Sequence, residues 1–270
     1  MLFRSRAKSK LYDKYKEKGY LLAKIKANQY VSRTDTSRVL VRFVFDEGSK
    51  VQVEKINFHG NTRFSDKKLR KQLKGTKEDR WWRGADFDKV KYTEDQGKLI
   101  DFYLNHGYRD AEILRDSLYY SPDQSDMFVE LWIHEGEQYT FGDISWKGNT
   151  VFPTELLAAN LGFAKGEVYS KKKLDEALQK RIGTLYYDRG YINSQVEPTE
   201  VPGDSNVLNI DFSVSEGKQA RINEIYITGN TRTKEKVIRR ELKILPGDTF
   251  SRTLLERSLR EVWMLNYLGN

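Results

Sequence analysis

Three short motifs recur along this chain in a fixed order, and this repetition is what most limits the folds open to it. Gly-Asn-Thr begins at Gly60, Gly148 and Gly229. Gly-Tyr begins at Gly19, Gly107 and Gly190, and Glu-Gly begins at Glu47, Glu135 and Glu216. The glycine of each Glu-Gly stands twelve residues before the glycine of the next Gly-Asn-Thr. Such regular spacing indicates a tandem array of one small fold.

The first half of each repeat predicts one strand and two helices. A short alternating apolar run, typical of a strand, precedes each Gly-Asn-Thr: Ile56 and Phe58, Ile144 and Trp146, Ile225 and Ile227. A short helix follows, with residues suited to a helix start at Ser65, Pro153 and Thr233. A longer helix comes next and ends at the glycine of Gly-Tyr. Its apolar stripe is Tyr92, Leu99 and Tyr103 in one copy and Leu174, Leu178, Ile182 and Leu185 in the next.

The second half of each repeat predicts a pair of strands with different surroundings. The later strand is almost continuously apolar, as a strand between two neighbours should be: Val39–Phe45, Phe128–Ile133 and Val207–Val214. The earlier strand alternates with charge, most clearly where Lys24 and Lys26 separate apolar residues, and this pattern is typical of an exposed edge. Pro198 in an earlier strand also fits only an edge.

The predicted fold is therefore α+β, with the order strand, helix, helix, strand, strand in each repeat. Residues 49–136 and 137–217 form two complete copies. Residues 1–48 supply a second helix and two strands, and residues 218–270 supply a first strand and two helices. A copy of this length is large enough to fold by itself.

Composition excludes some classes of protein. The 38% of hydrophobic residues can build ordinary cores, and the net charge of +8 is spread along the chain, which indicates a solvated basic surface. The chain has no cysteine, so it has neither disulfides nor thiolate ligands. No apolar run is long enough for a spanning helix, and the first residues lack the apolar stretch of a signal peptide. We expect a cytoplasmic protein or a portion of a longer one.

The ordered set of motifs closely resembles the POTRA, or polypeptide-transport-associated, domain across essentially the whole chain. The resemblance implies three-stranded mixed sheets with two helices packed on one face. The chain contains all or part of more than three copies, and in this it is similar to the BamA-type outer-membrane β-barrel assembly proteins. The segment "ITGNTRTKEKVIRRELKILPGDTF" resembles the copy nearest the membrane barrel. The chain would then cover part of a second domain, the third, the fourth and part of a fifth. One departure is Asn270, which stands where Gly-Tyr is expected.

The resemblance implies a periplasmic arm at the outer membrane. Its expected partners are unfolded outer-membrane protein precursors, bound by β-augmentation, accessory assembly lipoproteins, and the protein's own C-terminal membrane β-barrel, which lies outside this chain. The alternative is the arm of a related translocation transporter, of the two-partner secretion or TamA type. The short constant join between repeats predicts limited hinge motion.

The candidate peptide-binding residues lie on the earlier strands, where an extended client can add a strand largely independent of its sequence. They are Ala23, Ile25 and Ala27, then Ala111, Ile113 and Arg115, then Ser194 and Val196. Each edge could instead carry its charges only to prevent pairing. The adjacent Trp81 and Trp82 form a candidate partner patch, or alternatively fold back onto their own domain.

Two other functional classes find little support in the residues. His59, His106 and His134 each flank a structural motif and show no nucleophile or metal-ligand spacing, so we expect no enzyme activity, metal or cofactor. The positive charge and the abundant tyrosines could serve nucleic-acid binding, but no recognition motif accompanies them. We therefore expect no nucleic-acid partner.

Overall fold

The computed structural model describes residues 2–20, 23–31, 39–48, 50–79, 85–123, 125–231 and 233–264, with side chains from Lys8 onward. The chain forms two compact units. The first unit comprises Met1–Leu104 with Tyr108–Glu137, and the second comprises Asn105–Gly107 with Gln138–Asn270.

The first unit contains one two-stranded and one three-stranded sheet. Its elements are α1 (Leu2–Glu17), β1 (Lys24–Val31), β2 (Val39–Asp46), β3 (Gln52–His59), α2 (Asp66–Arg70), α3 (Lys89–Leu104), β4 (Glu112–Tyr120) and β5 (Asp126–His134). Strands β1 and β2 pair antiparallel. In the second sheet, β5 lies between β3 and β4, parallel to β3 and antiparallel to β4.

The second unit repeats the three-stranded sheet. Its elements are β6 (Thr140–Lys147), α4 (Thr154–Ala159), α5 (Lys171–Glu176), a π-helical segment (Ala177–Ile182), α6 (Gly183–Asp188), β7 (Gln195–Pro202), β8 (Val207–Ser215), α7 (Glu235–Arg239) and α8 (Arg252–Met264). Strand β8 lies between β6 and β7, parallel to β6 and antiparallel to β7. Each unit thus contains the predicted α+β order with a mixed sheet.

The cores form between the helices and one face of each central strand. In β5, alternate residues from Met127 to Ile133 are buried, and they share a core with Leu99 and Tyr103 of α3. In β8, Leu208, Ile210 and Phe212 are buried in the same way. The helix stripe and the central position of these two strands were predicted correctly, because both follow from apolar periodicity.

The prediction of a buried strand over Val39–Phe45 is wrong. In β2, Leu40 is 64% exposed and Val39 and Val41 are also exposed. Within the described residues β2 pairs only with β1. Apolar residues make a strand suited to burial. The strand is buried only if a second strand pairs with it and another layer of the protein covers its face.

The predicted strand at Ile225 and Ile227 is also absent, and the described residues there form only an isolated bridge between Arg221 and Thr249. A first strand of this fold pairs with the last strand of its own repeat, and the described part of this segment offers none. The helix expected from Thr233 begins later, with Lys234 as N-cap.

The second helix of the second unit departs from ideal α-helical spacing. The π-helical segment Ala177–Ile182 holds extra residues in its turns, and this shifts the apolar stripe. Tyr186 is fully buried, whereas Leu185, expected in the stripe, and Leu178 are only partly buried.

The repeated motifs meet in space at the end of each sheet. The Glu135 carboxylate accepts hydrogen bonds from the backbone N–H of Thr62 (2.7 Å) and of Arg63 (3.0 Å), and from the Tyr103 hydroxyl (2.9 Å). Glu216 accepts the corresponding bonds from Thr150, Val151 and Tyr186. The motifs therefore recur because they build one recurring hydrogen-bonded cluster.

The glycine of Gly-Asn-Thr meets a steric constraint at the same place. Gly60 has φ +84°, and a Cβ there would lie 2.2 Å from the carbonyl oxygen of Ile133. Gly148 has φ +88° and would place a Cβ 2.3 Å from the carbonyl oxygen of Val214. A side chain at either position would push the first strand away from the end of the central strand.

We predict that Gly60→Ala lowers the free energy of unfolding by about 2 kcal/mol, because it adds left-handed strain and a backbone clash. Gly97→Ala is the control, since Gly97 lies in α3 with open space around its Cβ position and alanine favours a helix. Urea unfolding of both variants checks this. Equal stability of Gly60→Ala and the parent chain would contradict the steric argument.

We predict that Glu135→Gln destabilises the chain by about 2 kcal/mol at neutral pH, through loss of charged hydrogen bonds. Burial acts to raise the pKa of the Glu135 carboxyl, but the bonds from Thr62, Arg63 and Tyr103 outweigh burial and lower that pKa. A lowered pKa stabilises the folded state above the ordinary value of 4.5, and this stabilisation disappears as pH falls through the folded-state pKa.

The difference in unfolding free energy between the parent chain and Glu135→Gln should therefore shrink between pH 7 and pH 3, measured by urea unfolding at each pH. The control is Glu137→Gln, because the Glu137 side chain is 67% exposed. A difference that stays constant with pH would show that the Glu135 charge is not what stabilises the cluster.

Candidate peptide-binding edges

Strands β4 and β7 are edge strands, as the alternating patterns predict. Each pairs with its central strand on one side only, and the described residues place no strand on the other side. Among those residues, no hydrogen bond from outside the sheet uses a backbone group of Glu112–Tyr120. An edge of this kind presents N–H and C=O groups that another extended chain can pair with.

The structure places the eight predicted edge residues as follows. Three precede their strands by one position, so the predicted starts were one residue early: Ala23, Ala111 and Ser194. Ala23, Ile25 and Ala111 are buried, and Ala27 is half-buried in β1. Ile113 and Val196 pack against the cores. Arg115 is exposed. Most of these side chains therefore face inward, so that their strands can offer the backbone rather than these side chains.

The outward-facing part of β4 was missed by the sequence analysis. Ser117 and Tyr119 are exposed, and the strand continues to Tyr120, five residues beyond the predicted stretch. The register shifts between Ile113 and Arg115, where a bulge interrupts the regular alternation. Residues 116–120 show no apolar-polar alternation that would mark a strand, and the bulge changes which of their side chains face outward.

The two edges differ in how far they are protected against pairing. From Arg115 to Tyr120, β4 pairs regularly with β5 and contains no proline. Strand β7 contains Pro198 and Pro202, neither of which has an N–H group to donate. Proline is one of the devices that block edge-to-edge pairing. Strand β4 is consequently the more complete hydrogen-bonding edge.

Open space lies beside the end of β4. A cleft of about 740 Å³ in the first unit is lined by Tyr12 and Lys16 of α1 and by Leu118 and Tyr120 of β4, among others. A second cleft of about 630 Å³ is lined by residues of α1, by Ala23 just before β1 and by Ile25 of β1. An extended segment has room to approach both strands.

The outer face of the first three-stranded sheet holds β4 in place. The Arg115 guanidinium lies 3.8 Å from the ring centroid of Trp132. The His59 ring also stacks on Trp132, with 4.8 Å between the two ring centroids. Glu130 accepts hydrogen bonds from Asn57 (2.8 Å) and Tyr119 (3.1 Å). These contacts cross all three strands, so the edge is fixed before any partner arrives.

Glu130 is the carboxylate that Asn57, His59 and Tyr119 contact on this face. Burial acts to raise the pKa of its carboxyl, but hydrogen bonds from Asn57, His59 and Tyr119 outweigh burial and lower that pKa. Glu130 is therefore ionised at neutral pH, and its charge is held within the sheet. The His59 Nε2 atom lies 2.5 Å from the Glu130 carboxylate, so His59 belongs to the contacts on the outer face of the sheet.

The residues considered for other functions have ordinary places. His59 and His134 end strands β3 and β5, and His106 lies in the turn after α3. In the described ranges no group of three or more His, Cys, Asp or Glu side chains could hold a metal ion. None of the helices described is long and apolar enough to cross a membrane. Trp81 and Trp82 lie outside the described residues, so the partner patch stays a prediction.

Comparison with known proteins agrees with this architecture. The POTRA family model, described as "surface antigen variable number repeat", matches residues 51–136, 139–217 and 220–270. These ranges cover most of the chain. The chain belongs to the POTRA family.

Its relatives are outer-membrane assembly factors. The chain is 30% identical over 269 residues to the outer membrane protein assembly factor BamA of Neisseria meningitidis serogroup B, an alignment that covers 96% of this chain and 33% of the relative. It is 29% identical over 261 residues to a putative outer membrane protein assembly factor of Treponema pallidum, covering 95% of this chain and 31% of that protein. The chain thus spans about a third of the length of these relatives.

Solved structures show the same fold. The crystal structure of POTRA domains 3–5 of Haemophilus influenzae BamA superposes with a TM-score of 0.65 at 20% identity, covering 82% of this chain and 87% of that one. The structure of Haemophilus ducreyi BamA lacking POTRA domains 1–3 has a TM-score of 0.50 at 16% identity, over 62% of this chain and 29% of that one. The repeated units are POTRA domains of the kind that BamA-type assembly factors carry.

Proposed function

We propose that this chain is the periplasmic arm of an outer-membrane protein assembly factor and that it binds unfolded outer-membrane β-barrel precursors by β-augmentation. The observation that carries the proposal is the unpaired, proline-free edge of β4 beside an open cleft. The names of the relatives supply the biological setting. The resemblance further implies that accessory lipoproteins dock on the arm and that a membrane β-barrel follows it.

Backbone pairing suits a client pool whose members share little sequence. Every non-proline residue of a client carries one N–H donor and one C=O acceptor, so an edge strand recognises the extended conformation itself. The clients of such a factor have in common that they form β-strands, and an added strand is a conformation close to their final one. Side chains beside the edge, such as Leu118 and Tyr120, would add apolar contacts.

The described edges should not contribute equally. We propose that β4 binds clients most strongly, because it offers a regular run from Arg115 to Tyr120 and contacts that hold it rigid. Strand β7 should bind more weakly, because Pro198 and Pro202 each remove one donor. Strand β1 borders its own cleft and carries Lys24 and Lys26, which favour acidic segments.

We propose that the arm is divided as the motifs indicate, with complete modules at 49–136 and 137–217, and that the joins restrict hinge motion. In the first unit, the Gly19 carbonyl accepts from the backbone N–H of Val51 at 3.0 Å. In the second, the Gly190 carbonyl accepts from the N–H of Ala220 at 2.8 Å. The same pairing recurs at the same motif, which supports a join of defined geometry within each unit.

A carboxylate reinforces the join in the second unit. Asp188, two residues before Gly190, accepts hydrogen bonds from the Ser251 hydroxyl (2.9 Å), the Thr253 N–H (2.8 Å) and the Thr253 hydroxyl (2.7 Å). Asp188 thereby caps the start of α8, a helix from the next repeat. A negative charge at a helix N-terminus is stabilising.

We expect photocrosslinking to distinguish these edges. A photoreactive residue at exposed Ser117 in β4 should capture a urea-diluted outer-membrane β-barrel precursor most strongly, with weaker capture from exposed Thr199 in β7. Mass spectrometry of the adducts is the measurement. A photoreactive residue at Asp101, exposed on α3, is the control for random collision.

A peptide competitor adds a test of the binding mode. A β-strand-forming precursor peptide and its scrambled version of equal hydrophobicity should compete about equally at Ser117, whereas a backbone N-methylated version should not compete, because it lacks donors. Equal capture at Ser117 and Asp101, or undiminished competition by the N-methylated peptide, would refute β-augmentation at β4.

We predict that Asp188→Ala loosens the join in the second unit and costs about 1 kcal/mol, the usual effect of losing a helix cap. Hydrogen exchange of the amides from Arg252 to Leu255 should accelerate roughly fivefold if local opening becomes easier by that amount. Asp175→Ala, at an exposed position on α5, is the control. Unchanged exchange at these amides would show that the carboxylate does not hold the join.

A further inference from the structure

A basic cleft lies on the first unit, beside β3 and on residues other than those of β4. It has a volume of about 420 Å³ and is formed by α2 and the loop that follows it. Its apolar floor includes Ile56 and Leu73, both buried. The lining contains one carboxylate, that of Glu78. It also contains five cationic side chains: Lys67, Arg70, Lys71, Lys74 and Lys77.

The charges in this cleft are not balanced. Arg70 pairs with Glu78 at 2.9 Å and also donates to the carbonyl oxygen of Ile56, so these two groups neutralise each other. The other four cations are exposed lysines, and within the described part of the chain their ammonium groups have no ion pair or hydrogen bond. Four like charges around one cleft attract an anion.

A buried hydroxyl in the same cleft also lacks a partner. Thr76 lines the cleft and is only 2% exposed, and its Oγ1 makes no hydrogen bond among the described residues. Its backbone N–H donates to Asp95 at 2.7 Å, and Asp95 also accepts from Gly75. The Thr76 Oγ1 has almost no solvent-accessible area, so it lies behind the cleft surface and a ligand in the cleft does not reach it. The bonds to Asp95 hold the loop that carries Lys74 and Lys77 in place.

The other complete repeat shows that the fold does not require these residues. Counted from Gly-Asn-Thr, the positions of Lys67, Lys71 and Lys74 are taken by Glu155, Ala159 and Gly162. The position of Thr76 is taken by Ala164. Of the four lysine positions only that of Lys77 keeps a cation, Lys165, so the same strand-helix-loop arrangement forms there without the other three. The basic cleft is thus a property of one module and not of the architecture.

We propose that this cleft binds a phosphate group, with the lysine ammonium groups as donors. Phosphate matches the site better than a carboxylate does, because it carries more charge and more acceptor oxygens for several point-charge donors. The buried apolar floor lowers the local dielectric constant and strengthens the attraction. The phosphate can be free or can belong to a phospholipid headgroup, and the test distinguishes these sources.

The experiment titrates the chain with inorganic phosphate and follows the backbone amide of Thr76 by NMR, with sodium acetate at matched ionic strength as the carboxylate control. We expect a saturable shift with phosphate and none with acetate. In a second arm, the chain is mixed with vesicles containing phosphatidylglycerol or with vesicles of phosphatidylcholine alone, and bound protein is measured by sedimentation. Binding to the first vesicles that phosphate competes away assigns a lipid headgroup, and phosphate binding without it assigns a soluble ligand.

Matched variants tie the binding to the cleft. The double variant Lys71→Ala, Lys74→Ala should bind phosphate about tenfold more weakly. The double variant Lys171→Ala, Lys172→Ala removes the same charge from exposed positions on α5 and should bind within about twofold of the parent chain. Urea unfolding confirms that each variant folds.

The proposal is overturned if the amide of Thr76 does not shift with phosphate, if acetate shifts it equally, or if the two lysine double variants lose affinity to the same extent. None of these outcomes depends on the free edge of β4. Failure here leaves precursor capture at Ser117 unaffected, and failure of that capture leaves the phosphate titration unaffected.

Discussion

The carboxylate of each Glu-Gly motif is the constraint on which the repeated unit depends. At the end of the central strand, the Glu135 carboxylate accepts hydrogen bonds from the backbone that follows the first strand and from the hydroxyl of Tyr103 in the second helix. Glu216 does the same in the second unit, and Tyr15 donates to Glu47 at 2.8 Å in the partial repeat. In each complete repeat one negative charge, buried at Glu135 and partly buried at Glu216, thus joins a strand, a turn and a helix. Such a charge is tolerated because nearly all its acceptor capacity is used.

This closure has a consequence for binding. It ties the first strand parallel to the central strand and covers one face of the sheet with helices, and it leaves the earlier hairpin strand with one free side. Whether that side can recruit another chain depends on local features. Strand β4 has a regular, proline-free run braced by Arg115 and Trp132, whereas β7 carries Pro198 and Pro202. Repetition of a fold therefore does not mean repetition of its binding strength.

Much of the fold could be predicted from the sequence, and the errors have a common cause. Periodicity located the helix stripe through Leu99 and Tyr103 and the central strands β5 and β8, because burial of one face leaves a regular pattern. The same reasoning failed for β2, which has β1 but no second neighbour among the described residues, and for the strand at Ile225, which has no paired strand there. It also failed at Leu185, where a π-helical segment changed the spacing. The edge strands were identified, but their exposed residues, such as Ser117, were not, because the bulge in β4 changes the phase of its alternation.

The sequence by itself determined the repeat, the order of the elements and the positions where only glycine fits, because these depend on neighbours along the chain and on backbone conformation. The tertiary structure decided which groups meet. Thr62 and Glu135 are 73 residues apart, the lysines of the basic cleft meet around the buried side chains of Ile56 and Leu73, and the free side of β4 exists only because β5 occupies the other. Local patterns record which face of an element is buried, but they do not record what lies against it, since that is set by contacts between distant segments.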